Sequence, residues 1–165
     1  MVVFDSSTLI LLARIDALEL FISNFSGRVL MPKKVAREVL IKDGEETTLL
    51  AALIDGGSIE VLSVDDRKLP AKLAKDFSMD LGEAEAIALA LEKKGAVVAT
   101  DDRNAIRACK LLKMDFITAV AVLIRAAEKK LLSRREALLK LERLASIGRY
   151  KKSIIADARR QIKGG

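Results

Sequence analysis

The chain has 165 residues, 51% of them apolar and 4% aromatic, with one Cys, no His, no Trp and a net charge of +6. That is one domain's worth of aliphatic core, which excludes disorder over most of the length, while the single Cys and the absence of His exclude disulfide frameworks, thiolate zinc sites and every His-based general base. Any catalysis must run on carboxylates, hydroxyls, lysines or a metal held by oxygen.

Val2-Val3-Phe4 is a short apolar strand ending at Asp5, and helical stretches follow over about Thr8–Ala13 and Ala17–Asn24. Arg28–Met31 reads as the second strand, with Pro32 placed as the first residue of a helix that carries Val35, Ala36, Val39 and Leu40 on one face. Lys42-Asp43-Gly44 ends it, and Glu45 to about Ile54 is helical up to Gly56-Gly57. Ser58–Val64 alternates apolar and polar residues as a half-buried strand does.

A helix over Lys68–Phe77 precedes a longer one opened by Asp80-Leu81-Gly82-Glu83, with Ala84, Ile87, Ala88 and Leu91 on its apolar face. Ala96–Ala99 is fully apolar, the type of strand buried inside a parallel sheet, and it ends at Thr100-Asp101-Asp102. A helix reaching Lys113, a short strand at Phe116-Ile117 and a helix over Ala119–Lys130 follow. Ser133 and Glu136 form a capping box for the next helix, and Tyr150–Ile162 is the last. Strands alternating with helices predict a three-layer α/β/α fold on a parallel sheet, with residues 1–130 as the core domain and 131–165 as a basic helical extension packed on or flanking it. No run reaches the ~20 apolar residues of a membrane span. The opening has no basic leader, and a lone Cys fits a cytoplasmic protein.

In parallel sheets the functional crevice lies beyond the carboxyl ends of the strands. Asp5, Asp101 and Asp102 directly follow apolar strands, while Glu38 and Glu83 lie on helices next to strands. Each acid also has a local role open to it. Asp5 and either Asp101 or Asp102 can cap helices, Glu83 completes a capping box with Asp80, and Glu38 can pair with Lys34. Taken together they can converge on one pocket. Crowded carboxylates resist joint ionisation and persist where a cation neutralises them. All-oxygen ligands select Mg²⁺ or Mn²⁺, and such an ion lowers the pKa of a bound water and so replaces the missing His. The chemistry this suits is in-line hydrolysis of a phosphodiester, leaving a 5′-phosphate.

VVFDSSTLI, PKKVAREVL and DLGEAEAIALALEKKGAVVATDDRNAIRACK together resemble the PIN-domain family over about Val2–Ile124. The resemblance implies a metal-dependent ribonuclease, often a homodimer and often the toxin of a toxin–antitoxin pair, with RNA as substrate and an antitoxin protein as partner. It places Asp5, Glu38, Glu83 and Asp101 at the family's acidic metal-site positions, Asp102 as a further ligand, and Ser7 and Thr100 at its supporting hydroxyls. The third acid is Glu83, seven residues before Ala90, or else Glu85 on a different face of the helix.

Charge is unevenly placed. From Arg125 to Gly165 there are 13 basic and 4 acidic residues, a net +9, whereas residues 1–124, with 16 basic and 19 acidic, carry −3. Lys151, Lys152, Arg159 and Arg160 are candidates to hold RNA phosphates, against the alternative of a solvated helical face. Other enzyme classes fit less well. A haloacid dehalogenase-type site needs a second Asp where Ser7 stands, and the P-loop and dinucleotide glycine patterns are absent. The rival reading is a non-catalytic RNA- or protein-binding module on the same fold.

Overall fold

The computed structural model describes residues 1–164, so the last residue of the extension, Gly165, lies outside the described residues. Five parallel strands form the central sheet: β1 (Val2–Phe4), β2 (Val29–Pro32), β3 (Glu60–Leu62), β4 (Val97–Ala99) and β5 (Phe116–Ile117), in the order β3-β2-β1-β4-β5. Successive residues of β1 face opposite layers. Val2 and Phe4 join one hydrophobic core, with Leu9, Leu12, Leu123, Leu141 and Ile155, while Val3 joins the other, with Leu30, Ile87, Val98 and Ala108. The sheet is therefore buried on both faces, as its uninterrupted apolar strands require.

The chain runs outward from β1 through β2 to β3, then returns to the other side of β1 with β4. Val3 consequently pairs with Leu30 on one side and Val98 on the other. The order of strands reverses between β1 and β4, which opens a crevice at their carboxyl ends.

Four helices set the walls of that crevice. α1 (Ser6–Arg14) starts directly after β1, with Asp5 as its N-cap. α3 (Lys33–Ile41) follows β2, α6 (Leu81–Glu92) precedes β4, and α7 (Arg103–Leu111) follows it with Asp102 as its N-cap. α2 (Leu18–Asn24), α4 (Glu45–Asp55) and α5 (Leu69–Phe77) complete the outer layers with α8 (Ala119–Glu128), α9 (Arg134–Ile147) and α10 (Lys152–Gly164). Ala137, Leu141, Leu144, Ile155, Ala158 and Ile162 of α9 and α10 are buried in the same core as Phe4 and Leu12.

Several local expectations shift. Pro32 ends β2 and caps α3 from outside, with φ −68° and ψ 155°, instead of opening the helix; a proline ring fits an extended strand end as well as a first helical turn. Leu40 and Leu91 are 41% and 39% exposed. α6 has no single apolar face: Gly82, Ala84 and every residue from Ala86 to Ala90 are buried, because small side chains let it sit between β1, β2, β4 and three helices. The last helix begins at Lys152, leaving Tyr150 in the connection from α9.

Part of the excess positive charge in the extension is used inside the fold. Lys140 Nζ donates to Ile15 O at 2.8 Å and Arg143 donates to Arg14 O, so α9 satisfies the carbonyls at the end of α1. Among the described residues no helix is long and apolar enough to cross a membrane.

Candidate active site

Asp5 is where the chain turns from β1 into α1. Its backbone N–H still donates to Ala99 O of the neighbouring strand at 3.1 Å, which locks the turn to the end of β4. Its side chain is 1% exposed. Oδ1 accepts from Thr8 N at 2.9 Å and from Ser7 Oγ at 3.2 Å, and Oδ2 accepts from Thr100 Oγ1 at 2.7 Å. Burial nonetheless dominates and pushes the Asp5 carboxyl up to about 6, against the pull of the Thr100 and Thr8 hydrogen bonds, with the charge of Asp101 adding a smaller push.

Glu83 sits in the first turn of α6, where its Oε2 accepts from Asp80 N at 3.1 Å and Asp80 Oδ1 accepts from Glu83 N at 2.8 Å. This capping box is a local stabiliser, and it also fixes which way Glu83 points. Partial burial, then the charges of Asp102 and Asp80, and lastly that of Asp5, push the Glu83 carboxyl up to about 7. Glu83, Asp102 and Asp5 therefore share one field, although 19 residues separate the first two and 97 the outer two in sequence. Asp102 Oδ1 accepts from Ala105 N at 2.8 Å, the N-cap bond of α7.

Glu38 arrives from α3. Its Oε2 accepts from Ser6 Oγ at 3.2 Å, and its carboxylate lies against Gly82, where a Cβ would fall 2.8 Å from Oε2. A side chain at 82 would occupy that space, so this glycine is what lets Glu38 approach the first turn of α6. Glu85 goes elsewhere: its Oε2 accepts from Lys34 N at 3.2 Å and ties α6 to the start of α3.

Asp101 has a different set of partners. Oδ1 accepts from Tyr150 OH at 2.7 Å, Oδ2 accepts from Thr8 Oγ1 at 2.8 Å, and Ala119 N donates to both oxygens at 3.1–3.2 Å. Burial raises its proton affinity, opposed by the Tyr150 and Thr8 hydroxyls and the Ala119 N–H. Of the basic candidates, Arg159 is paired with Glu142 and Arg160 with Asp157, whereas Lys151 and Lys152 are exposed and flank or follow Tyr150.

Four contributors escape a reading of the sequence alone: Ser6, Thr8, Gly82 and Tyr150. Thr8 had a usable signal, since it stands three residues after a capping Asp; Tyr150, 49 residues from its partner, had none.

The acids lie on one rim of the sheet, but among the described residues no group of three or more stands in a ready-made ligating arrangement. Their chemistry still suits a hard cation. The donors are all oxygen, and Asp5 and Glu83 both hold protons unusually tightly, first because they are buried and second because other carboxylates stand near them, a combination that a divalent ion would relieve. The model of a family described as a PIN domain matches residues 1–163. No curated protein matches the chain.

Proposed function

The chain belongs to the PIN-domain family, whose fold is of the nuclease type, and from that premise we propose that it is a divalent-metal-dependent endoribonuclease. The observation that carries this reading is the convergence of acids at the β1–β4 crevice: Asp5 is bridged by Thr100 to the end of β4, and the Glu38 carboxylate lies between Ser6 and Gly82, next to Asp5 and Glu83 in the chain. Asp5, Glu38, Glu83 and Asp102 are the residues that would hold Mg²⁺ or Mn²⁺. When bound, such an ion lowers the pKa of a water and offsets the charge of a phosphodiester.

The residues of the chain prepare for this. Thr100 and Thr8 stabilise the ionised form of Asp5, so that it can exchange its proton for a cation near neutral pH. The Asp80 capping bond fixes the direction of the Glu83 side chain. Glu83, whose carboxyl titrates near 7, gives up its proton in the same range. Lys151 and Lys152, exposed and next in sequence to the Tyr150 whose hydroxyl reaches Asp101, are the cations that would meet the phosphates of an RNA strand. A role as the toxin half of a toxin–antitoxin pair, as a homodimer, is supported by the sequence resemblance alone.

One observation favours a second reading, a non-catalytic RNA-binding module: both oxygens of Asp5 are already engaged by protein donors. Cleavage of single-stranded RNA by the wild type and Asp5→Asn, with Mn²⁺ and with chelator, separates the two. The nuclease reading expects cleavage that needs metal and Asp5 and leaves a 5′-phosphate. A 2′,3′-cyclic phosphate product, or cleavage unchanged in Asp5→Asn, would sink it. RNA binding without cleavage would favour the module.

A further inference from the structure

We propose that Tyr150, delivered by the connection between α9 and α10, is a positioning residue for the acid site: its hydroxyl anchors Asp101, and Asp101 in turn fixes Thr8 against Asp5. The inference rests on the metal-site reading above.

The geometry is a relay of hydrogen bonds. Tyr150 OH donates to Asp101 Oδ1 at 2.7 Å, Thr8 Oγ1 donates to Asp101 Oδ2 at 2.8 Å, and Thr8 N donates to Asp5 Oδ1 at 2.9 Å. Ala119 N, the first residue of α8, closes on the same carboxylate. Asp101 thus joins the end of β4, the start of α1, the start of α8 and the extension. With Thr8, Ala119 and Tyr150 donating to it, Asp101 serves better as an anchor than as a ligand, whereas Asp102 keeps Oδ2 without a hydrogen bond among the described residues. The bend that presents Tyr150 is built for its ring. A Cβ on Gly148 would lie 2.3 Å from Tyr150 Cε2, though Gly148 itself is extended, at φ −97° and ψ 165°. Any larger residue at 148 has an allowed backbone but displaces the ring.

Removing the hydroxyl leaves Asp101 Oδ1 with only the longer Ala119 N–H bond and loosens Thr8, while the aromatic body still packs against the core that Phe4 and Leu12 share. Asp5 then loses a firmly placed donor. A hydrogen bond to a charged group is worth enough to change binding about tenfold or more.

The test compares wild type, Tyr150→Phe, Gly148→Ala and the double variant by Mn²⁺ calorimetry on the metal-free full chain and by steady-state RNA cleavage. Both single variants are expected to bind Mn²⁺ about tenfold more weakly and to lose kcat by a similar factor with KM for RNA changed less than twofold. The double variant is expected to be no worse than either, since both remove the same contact. Tyrosine emission gives a second readout that does not depend on activity. The chain has one Tyr and no Trp, so Asp101→Asn, which removes the charged acceptor, is expected to brighten the emission. Wild-type Mn²⁺ affinity and kcat in Tyr150→Phe, additive losses in the double variant, or emission unchanged in Asp101→Asn would each overturn the inference. A wild type that binds no Mn²⁺ would instead overturn the metal-site reading, and this inference with it.

Discussion

Thr100 donates from Oγ1 to Asp5 Oδ2 at 2.7 Å, bridging the carboxyl ends of two adjacent parallel strands. It is the largest single influence favouring ionised Asp5, set against a burial cost that wins overall. Thr100→Val keeps the shape and deletes the donor. We expect the pH midpoint for Mn²⁺ binding to move up by about one unit or more. A pH series of calorimetric titrations on the two proteins checks it, and superimposable midpoints would refute the role given to this hydroxyl.

An ionised, buried Asp5 is a burden on the metal-free fold. With its carboxyl raised from the ordinary 3.8 to about 6, the burden at pH 7.5 is on the order of 3 kcal/mol. Asp5→Asn removes the charge and keeps an acceptor for Thr8 N. The variant is expected to melt several degrees higher than the wild type without metal, yet to gain nothing on adding Mn²⁺. Thermal unfolding with chelator and with Mn²⁺ reads both. A variant less stable than wild type in chelator would show that the burial cost is not there.

The sign of the pH dependence follows from the same groups. Asp5 and Glu83 bind protons more tightly in the folded chain than in the unfolded one, where carboxyls titrate near 4. Between about pH 4 and pH 7 the folded state therefore holds more protons. Their contribution is present below pH 4 and is lost as pH rises through 6 to 7. The stability gap between Asp5→Asn and the wild type should be near zero at pH 4 and should open toward pH 7.5. Saturating Mn²⁺ should close it, because the ion takes over from the protons.

Glu83 and Glu85 are two residues apart and have different partners. Glu83→Gln is expected to abolish cleavage, with kcat down at least a hundredfold, at little cost in melting temperature. Glu85→Gln weakens the tie to Lys34 N and is expected to lower stability by up to about 1 kcal/mol with kcat within threefold of wild type. Parallel melts and kinetics distinguish them, and the reverse pattern would move the third acid to Glu85.

Gly82 offers a test in which stability and activity part. Alanine is favoured over glycine inside a helix by up to about 1 kcal/mol, but a Cβ at 82 would lie 2.8 Å and 3.0 Å from the two Glu38 oxygens. Gly82→Ala should melt at or above the wild-type temperature while kcat falls at least fivefold. Full activity would mean that the position of Glu38 does not matter.

How far the site could be read from sequence differs residue by residue. Asp5 and the Thr100-Asp101-Asp102 run were visible because each directly follows an apolar strand, and a parallel sheet sends all such ends to one edge. Glu83 was visible through its helix phase. The division of labour between Asp101 and Asp102 was not: only the positions of Tyr150, Ala119 and Glu83 decide which one collects the hydroxyl and amide donors and which one adds its charge to Glu83. Those partners are 18 to 49 residues away and follow no periodic pattern. The charged extension was legible as basic, but Lys140 and Arg143 spend their charge on the carbonyls of α1, which composition could not reveal.

The placement of Tyr150 also orders events during synthesis. Asp5, Glu38, Glu83 and Asp102 leave the ribosome well before the hydroxyl that anchors Asp101, and the core that holds Phe4 lacks Leu141, Leu144, Ile155 and Ile162 until α9 and α10 emerge. A nascent chain halted near residue 130 carries Asp5, Glu38, Glu83, Asp101 and Asp102 but not the hydroxyl that anchors Asp101, so the last bond of the acid cluster forms only when the final helices close.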